Sequence, residues 1–402
     1  MSKRHVLFVY SRMIVGGSTT SLLALLARLD YGLLDVDLLL LDPVGPLNEA
    51  VPKQVKVMGP DDLARHWWHR ALWRRFVSPR YVFVWLLSVA LSRWRGNPLI
   101  RSQIMGQEIG RFYPQPLPEY DVAVSFLEFA PAAYVAERVR AQKKIAWLHA
   151  DYGDAGLLPR VESKTLGTFD HIVLVSKANL KSFTSIYPEF SPRACVVENI
   201  IDPGEIRRKA AASSLPLSSN HPDPREFGLN LVSNSRIDFV SKGHDRVVRA
   251  LARAERRTVL SQVHWWVIGD GPDMEALRAL ISQEGLDEVV SLMGELQNPF
   301  PLMRLMDVFF LPSRYEGKPM AVTEARALGL PVLITQFASA EELVADSRDG
   351  LIVANSEDGI LGGIRRLVSE RGLIEELRSR VGDVGTDYQL AVRNVERLLG
   401  VE

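Results

Sequence analysis

Four charged side chains in the second half of this 402-residue chain have the types and spacing to hold an anionic, hydroxyl-rich ligand. Arg236 and Lys242 lie six positions apart in the stretch SRIDFVSKG, and Glu316 and Glu324 lie eight apart in LPSRYEGKPMAVTEARALGLPVLIT. An arginine fork and a lysine point charge on one loop can neutralise a diphosphate. An ionised carboxylate carries only acceptors, so it matches the two donors of a vicinal diol such as that of a ribose or a hexose. Taken singly, each of the four also reads as an ordinary solvated surface charge.

The elements that must position them follow from the hydrophobic pattern. Residues 307–311 (DVFFL) predict a short buried strand and Ser313–Lys318 a polar loop bent at Gly317. Pro319 suits the first residue of a helix predicted over Met320–Leu328, which Gly329 stops before a strand at Val332–Ile334. A loop of this kind presents free backbone N–H groups around Gly317, Lys318, Met320 and Ala321 and a positive helix end to an anion. Further strands are predicted at Asn230–Asn234, Val263–Ile268 and Val289–Met293, with helices at Gly243–Arg256, Asp273–Glu284 and Pro299–Met306. Strict alternation of short apolar strands with helices predicts a parallel sheet covered on both faces.

The first half repeats the rhythm. Predicted strands are His5–Tyr10, Val36–Leu41, Asp121–Phe126, Lys144–Leu148, His171–Ser176 and Ala194–Glu198. Helices are predicted from Ser18, as N-cap, to Leu29, and over Ala132–Arg140, Arg160–Thr168 and Ala178–Ile186. Gly16-Gly17 stands just before the first helix, where glycine lets a ligand approach the backbone. His149 and Asp151 follow a strand directly, at the edge where sites form in α/β sheets. Both also read as hydrogen-bonded strand-end residues. No G-x-G-x-x-G is present, which argues against an ordinary NAD domain.

Composition sets wider bounds. The length allows two domains, and the formal net charge of zero calls for no nucleic-acid partner. The single cysteine, Cys195, excludes an internal disulfide and reads as a buried strand residue in a reducing compartment. The apolar run Val6–Tyr10 is too short for a signal peptide, so a cytoplasmic protein is expected. No Cys/His cluster offers to hold a metal, and none is expected.

Residues 63–107 stand apart, with eight arginines, no acid and five of the chain's eight tryptophans. Arg65, Arg70, Arg74, Arg75, Arg80, Arg93, Arg95 and Arg101 are interleaved with Trp67, Trp68, Trp73, Trp85 and Trp94. The apolar core of the segment is too short to span a bilayer but suits an interfacial helix on anionic headgroups. A packed helical pair with solvated arginines is the other reading.

Ser313-x-x-Glu316-Gly317-x-Pro319, followed by Glu324-Ala325 and Gly329-x-Pro331-Val332, resembles the E-x7-E signature of glycosyltransferase family 4. Arg236 to Gly243 is similar to that family's R-x5-K-G loop, and Asn199 to Asp202 to its interdomain turn, with Ile200 in place of a glycine. The resemblance covers nearly all of the second half and scattered motifs in the first. It implies an α/β protein of the GT-B fold, two Rossmann-like domains facing across a cleft. Residues 1–203 would form the acceptor-binding domain, 204–384 the nucleotide-sugar-binding domain, and a helix within 385–402 would pack back on the first.

The resemblance further implies a retaining hexosyltransferase using a nucleoside-diphosphate sugar, UDP-sugar favoured over GDP-sugar, without cofactor or metal. Its acceptor would be a glycan or a lipid-linked glycan in polysaccharide or glycolipid assembly, on the inner face of a membrane. Catalysis would fall to Glu316, His149, Arg236 and Lys242. The donor site would comprise Gly16, Gly17, Arg236, Lys242, Leu296 at the base, Glu316, Gly317, Lys318, Pro319, Met320, Ala321 and Glu324, the last on the ribose diol. Lys318 departs from the family's usual apolar residue; it reads either as a sugar or phosphate contact or as a solvated side chain. A nucleotide-sugar epimerase of the same fold, and an inactive membrane-bound fold member, are the alternatives.

Overall fold

The computed structural model describes residues 3–63, 78–109, 113–115, 118–211, 222–370, 372–382 and 388–401. The chain divides into two units, residues 1–200 with 387–402, and residues 201–386. The boundary falls at Ile200, three residues before the position expected from the Asn199–Pro203 turn. Each unit is built on its own parallel sheet.

The first sheet comprises β1 (Arg4–Tyr10), β2 (Leu34–Leu40), β3 (Lys56–Met58), β4 (Tyr120–Ser125), β5 (Ala141–Leu148), β6 (His171–Leu174) and β7 (Ala194–Val196), in the order β3-β2-β1-β4-β5-β6-β7. Alternate side chains serve opposite faces, as a strand's two-residue period requires. Val6, Phe8 and Tyr10 enter one core, and Leu7 and Val9 enter the other.

Five helices of this unit matter below: α1 (Gly17–Leu26), α2 (Pro79–Arg95), α3 (Pro98–Ile109), α4 (Ala130–Arg138) and α5 (Lys177–Ile186). The second unit adds α6 (Pro203–Ala210), α7 (His244–Ala252), α8 (Met274–Gln283), α9 (Met320–Ala327) and α10 (Glu357–Ser369). The last helix, α11 (Tyr388–Leu399), returns to the first unit, where Val392, Val395 and Leu399 join the core beneath Val6 and Phe8. Burying three such side chains contributes about 1.5–3 kcal/mol each, enough to tie the chain's end to a sheet that begins at residue 4.

The second sheet comprises β8 (Leu229–Asn234), β9 (Val263–Ile268), β10 (Val290–Gly294), β11 (Val308–Leu311), β12 (Val332–Thr335) and β13 (Gly350–Val353), in the order β10-β9-β8-β11-β12-β13. Val308 and Phe310 face one core, and Phe309 and Leu311 the other. Both sheets wind outward in two directions, from between β1 and β4 and from between β8 and β11. Loops at the carboxyl ends of the two central strands splay apart there and leave room for a ligand.

Local expectations shift in instructive ways. Strands β3 and β13 are not among those expected; both are edge strands, and β3 exposes two of its three residues. The helix expected over Arg160–Thr168 is one turn, Ser163–Leu166, and that expected over Gly243–Arg256 ends at Ala252 before a wide turn at Arg256–Leu260. Helix α1 begins at Gly17 rather than being capped by Ser18, whose hydroxyl is held by Tyr10 Oη at 2.7 Å instead. Pro319 is the cap of α9, with extended ψ, not its first residue. Cys195 is half-buried on edge strand β7, because only one neighbouring strand covers it. Arg65, Trp67, Trp68, Arg70, Trp73, Arg74 and Arg75 lie outside the described residues.

Candidate active site

In the second unit, the loops after β8 and β11 meet at the sheet's switch point. The first carries Arg236 and Lys242. Asp238 caps the single turn Phe239–Lys242 by accepting the N–H groups of Val240 and Ser241 at 2.9 and 3.3 Å. Gly243 then takes a left-handed conformation, φ 67°, to start α7. Beneath this loop, Gly269 and Gly271 lie so close that a Cβ on either would sit 2.0 and 2.2 Å from the carbonyls of Ser235 and Ile237. Their glycine identity therefore serves packing.

The second loop carries Glu316. Lys242 Nζ donates to Glu316 Oε1 at 2.5 Å, and Ser313 Oγ donates to the same oxygen at 2.6 Å. Both charged side chains are largely covered, 22% and 10% exposed, which weakens screening and strengthens the pair. Arg236, in contrast, is exposed and has no ion-pair partner among the described residues. A free guanidinium fork is a suitable reception for phosphate oxygens. Lys318 and Gly317 are half-buried, and Met320 and Ala321 open α9 with no side chain capping their N–H groups. Leu296 is half-buried after β10, against the core that includes Phe300 and Ile268.

Glu324 is the least ordinary member. It sits on the second turn of α9 with 8% exposure, and its carboxylate accepts no hydrogen bond among the described residues. Burial pushes its pKa up to about 7, partly offset by Lys209 on α6. Buried polar groups are normally satisfied, so this bare carboxylate, on the helix that follows the Glu316 loop, has acceptor capacity left over.

The first unit brings other groups together at the ends of β4 and β5. Glu128 accepts the backbone N–H of His149 at 2.9 Å, and burial raises its pKa. Phe129 next to it holds φ 61° and ψ −111°, a strained conformation for a non-glycine residue. The His149 ring lies 5.1 Å from Phe126, with Nε2 buried and without a partner. Desolvation lowers its pKa to about 3, so the imidazole is neutral at physiological pH. Asp151 is used locally through one oxygen, its Oδ1 accepting from Gly153 N–H and Ser182 Oγ at 2.9 Å each, while its Oδ2 is buried and without a partner among the described residues. Gly16 has an extended backbone, φ 170°, and a Cβ there would meet nothing within 4 Å. The fold itself does not demand glycine at that position, and Gly17 opens α1 beside it.

Sequence reasoning missed Ser313 as a partner of Glu316, although it stood in the same motif, and missed Glu128. An acid directly after the apolar run DVAVSFL was a signal for the latter. Lys209 had none, since its approach to Glu324 depends on α6 packing against α9.

Gly243 supplies a direct test of how these loops interlock. A Cβ at this position would lie 2.6 Å from the carbonyl oxygen of Pro312, in a backbone conformation that disfavours L side chains. Gly243→Ala is expected to lower stability by about 1–3 kcal/mol, read by urea denaturation. A change within about 0.5 kcal/mol would mean the two loops do not press together.

Residues 229–370 match the family described as glycosyl transferases group 1. The chain is 28% identical over 214 residues to an N-acetylgalactosamine-N,N'-diacetylbacillosaminyl-diphospho-undecaprenol 4-alpha-N-acetylgalactosaminyltransferase of Campylobacter jejuni, covering 52% of this chain and 54% of that enzyme. It is 28% identical over 278 residues to a GDP-mannose-dependent alpha-(1-6)-phosphatidylinositol monomannoside mannosyltransferase of Mycolicibacterium smegmatis, covering 63% and 69%. Among the curated relatives, the matched stretch spans roughly half of the relative's length, 54% in the first case. A solved structure of Anabaena HepE with UDP-glucose superposes with a TM-score of 0.68 over 99% of both chains at 15% identity. The fold is thus GT-B, two Rossmann-like domains in one chain. The matched family and both named relatives are glycosyltransferases.

Proposed function

We propose that the protein is a retaining hexosyltransferase that takes its sugar from a nucleoside-diphosphate donor, with UDP-sugar favoured, and passes it to a glycan or lipid-linked acceptor. The observation carrying this reading is the Lys242–Glu316–Ser313 cluster on the loop that leads into α9, one face of which holds the bare carboxylate of Glu324. Arg236, Lys242 and the first N–H groups of α9 receive the diphosphate, and Glu324 receives the ribose diol. Glu316 orients a hydroxyl of the transferred sugar, and Leu296 flanks the base.

In the reaction, the acceptor oxygen bonds to the anomeric carbon on the face the diphosphate leaves. The anomeric C–O bond breaks with its electron pair going to the β-phosphate, which takes up the acceptor's proton. Arg236 and Lys242 stabilise the charge that develops on that phosphate. Neither a metal nor another cofactor enters the scheme. Incubation with UDP-, GDP- and ADP-sugars and a lipid-linked glycan extract tests the reading. Transfer from one donor with retained anomeric configuration supports it, and hydrolysis or epimerisation alone contradicts it.

A membrane surface is part of the same reading. Helix α2 exposes Val82, Phe83, Leu86, Leu87 and Trp94 along one side, with Phe83 66% and Trp94 76% exposed. Arg93 and Arg95 accompany them, Arg95 lying 5.2 Å above the Trp94 ring. No helix among the described residues is long and apolar enough to cross a membrane. Apolar side chains flanked by arginine fit a bilayer surface with anionic headgroups. Vesicles of phosphatidylglycerol are expected to co-sediment the protein and those of phosphatidylcholine to do so weakly. Phe83→Ser with Leu86→Ser is expected to cut binding about tenfold or more; equal binding by the variant would remove this helix from the contact.

A further inference from the structure

Three successive carbonyl oxygens at the start of the Glu316 loop are each taken by a side chain from a different part of the second unit. Pro312 O accepts from Arg246 Nη2 at 2.7 Å, Ser313 O from Thr335 Oγ1 at 2.5 Å, and Arg314 O from Asn355 Nδ2 at 2.8 Å. Arg246 belongs to α7, after β8; Thr335 ends β12; Asn355 follows β13. The captors are themselves connected. Asn355 Oδ1 accepts from Arg246 Nη1 at 2.6 Å, and its Nδ2 also donates to Gln336 O at 2.9 Å. From the other side, Arg314 N–H donates to Ser241 O at 2.7 Å, and the Arg314 guanidinium reaches Asp245 at 3.0 Å.

Such a set is more than the sheet needs. Arg246 is 5% exposed and, among the described residues, has no direct carboxylate partner and no acceptor for its Nε, so its burial is costly. Asn355 is exposed and adds nothing to a core, yet its amide makes hydrogen bonds to three different residues. What the set does is fix the backbone of Pro312, Ser313 and Arg314 from behind. The Ser313 hydroxyl is thereby placed to hold Glu316 Oε1 against Lys242.

We propose that Asn355 is a positioning residue for the ligand loop, acting through Arg246 and the Arg314 carbonyl to hold Ser313 and Glu316 in register with Lys242. Because Asn355 is exposed, Asn355→Ala keeps the core intact. The first test needs no ligand. Amide hydrogen exchange is expected to quicken about tenfold or more in peptides spanning 312–319, with the rest of the second unit and the melting temperature near wild type. Thr335→Val, which removes another captor without changing side-chain shape, is expected to reproduce the local pattern. Unchanged exchange over 312–319, or a rise throughout the unit, overturns the proposal.

The second test rests on the proposed donor site and uses UDP as probe. Asn355→Ala is expected to weaken UDP about tenfold, and less than additively with Lys242→Met, since both disturb the Lys242–Glu316 pair that the loop holds in register. Full additivity overturns action through the loop. If wild type binds no UDP, it is the donor-site reading that fails, and the exchange experiment still decides the role of Asn355.

Discussion

Glu324→Gln is expected to make the ligand-free protein more stable at pH 8 while leaving it little changed at pH 4. The folded carboxyl has a pKa of about 7, raised chiefly by burial, against an ordinary value of 4.5. Between these two values the unfolded chain has released a proton that the native state retains. Wild-type stability therefore falls as pH rises through that window, and the full penalty is present above pH 7. A shift of this size corresponds to about 3 kcal/mol. Glutamine keeps the shape and has no charge to desolvate, so its stability should lack this component. Urea midpoints from pH 4 to pH 8 measure the difference, and parallel curves for the two proteins would show that Glu324 titrates normally. The same residue should couple ligand binding to protons: diol donors favour the ionised form, so affinity for the nucleotide rises with pH up to about 7 and then levels.

Lys242→Met is expected to lower kcat by about 100- to 1000-fold, the range seen when one group that stabilises transition-state charge is removed. Two effects combine. The diphosphate loses its held cation, and Glu316, 10% exposed, is left with Ser313 as its remaining hydrogen-bond partner among the described residues, at 2.6 Å. Lys242→Arg keeps the charge, but a planar fork does not reproduce an ammonium seated 2.5 Å from one carboxylate oxygen, so recovery should be partial. Steady-state kinetics with the active donor measures both. A kcat within threefold of wild type for the methionine variant would move the phosphate charge onto Arg236 alone.

How much of this could be read beforehand differs by level. The sheet-forming runs were legible because strands such as Val308–Leu311 are buried on both faces and carry no polar interruption. The ligand loop was legible because Gly317, Pro319 and Gly329 punctuate it, and the carboxylates at 316 and 324 frame it. Caps were displaced by one or two residues at Ser18 and Pro319, since several neighbours compete for each cap and tertiary contacts decide. Tyr10 took the serine hydroxyl in the first case. The Lys242–Glu316 pair spans 74 residues and the Arg246–Asn355 pair 109. Contacts of that range depend on which strands are neighbours, and β8, β11, β12 and β13 become neighbours only in the folded sheet. Nothing local in MAVTEARA distinguishes a buried bare glutamate from a solvated one.

The central claim is a nucleoside-diphosphate site made by Lys242, Glu316 and Glu324. A thermal-shift series with UDP, GDP, ADP and CDP, run at pH 7.5 on wild type and Glu324→Gln, tests it most directly. Ligand at 100 times its dissociation constant adds about 2.7 kcal/mol to native stability. The prediction is a clear rise with one nucleotide for wild type, UDP foremost, and its loss in the variant. No rise with any of the four nucleotides, or an equal rise in the variant, would contradict the site.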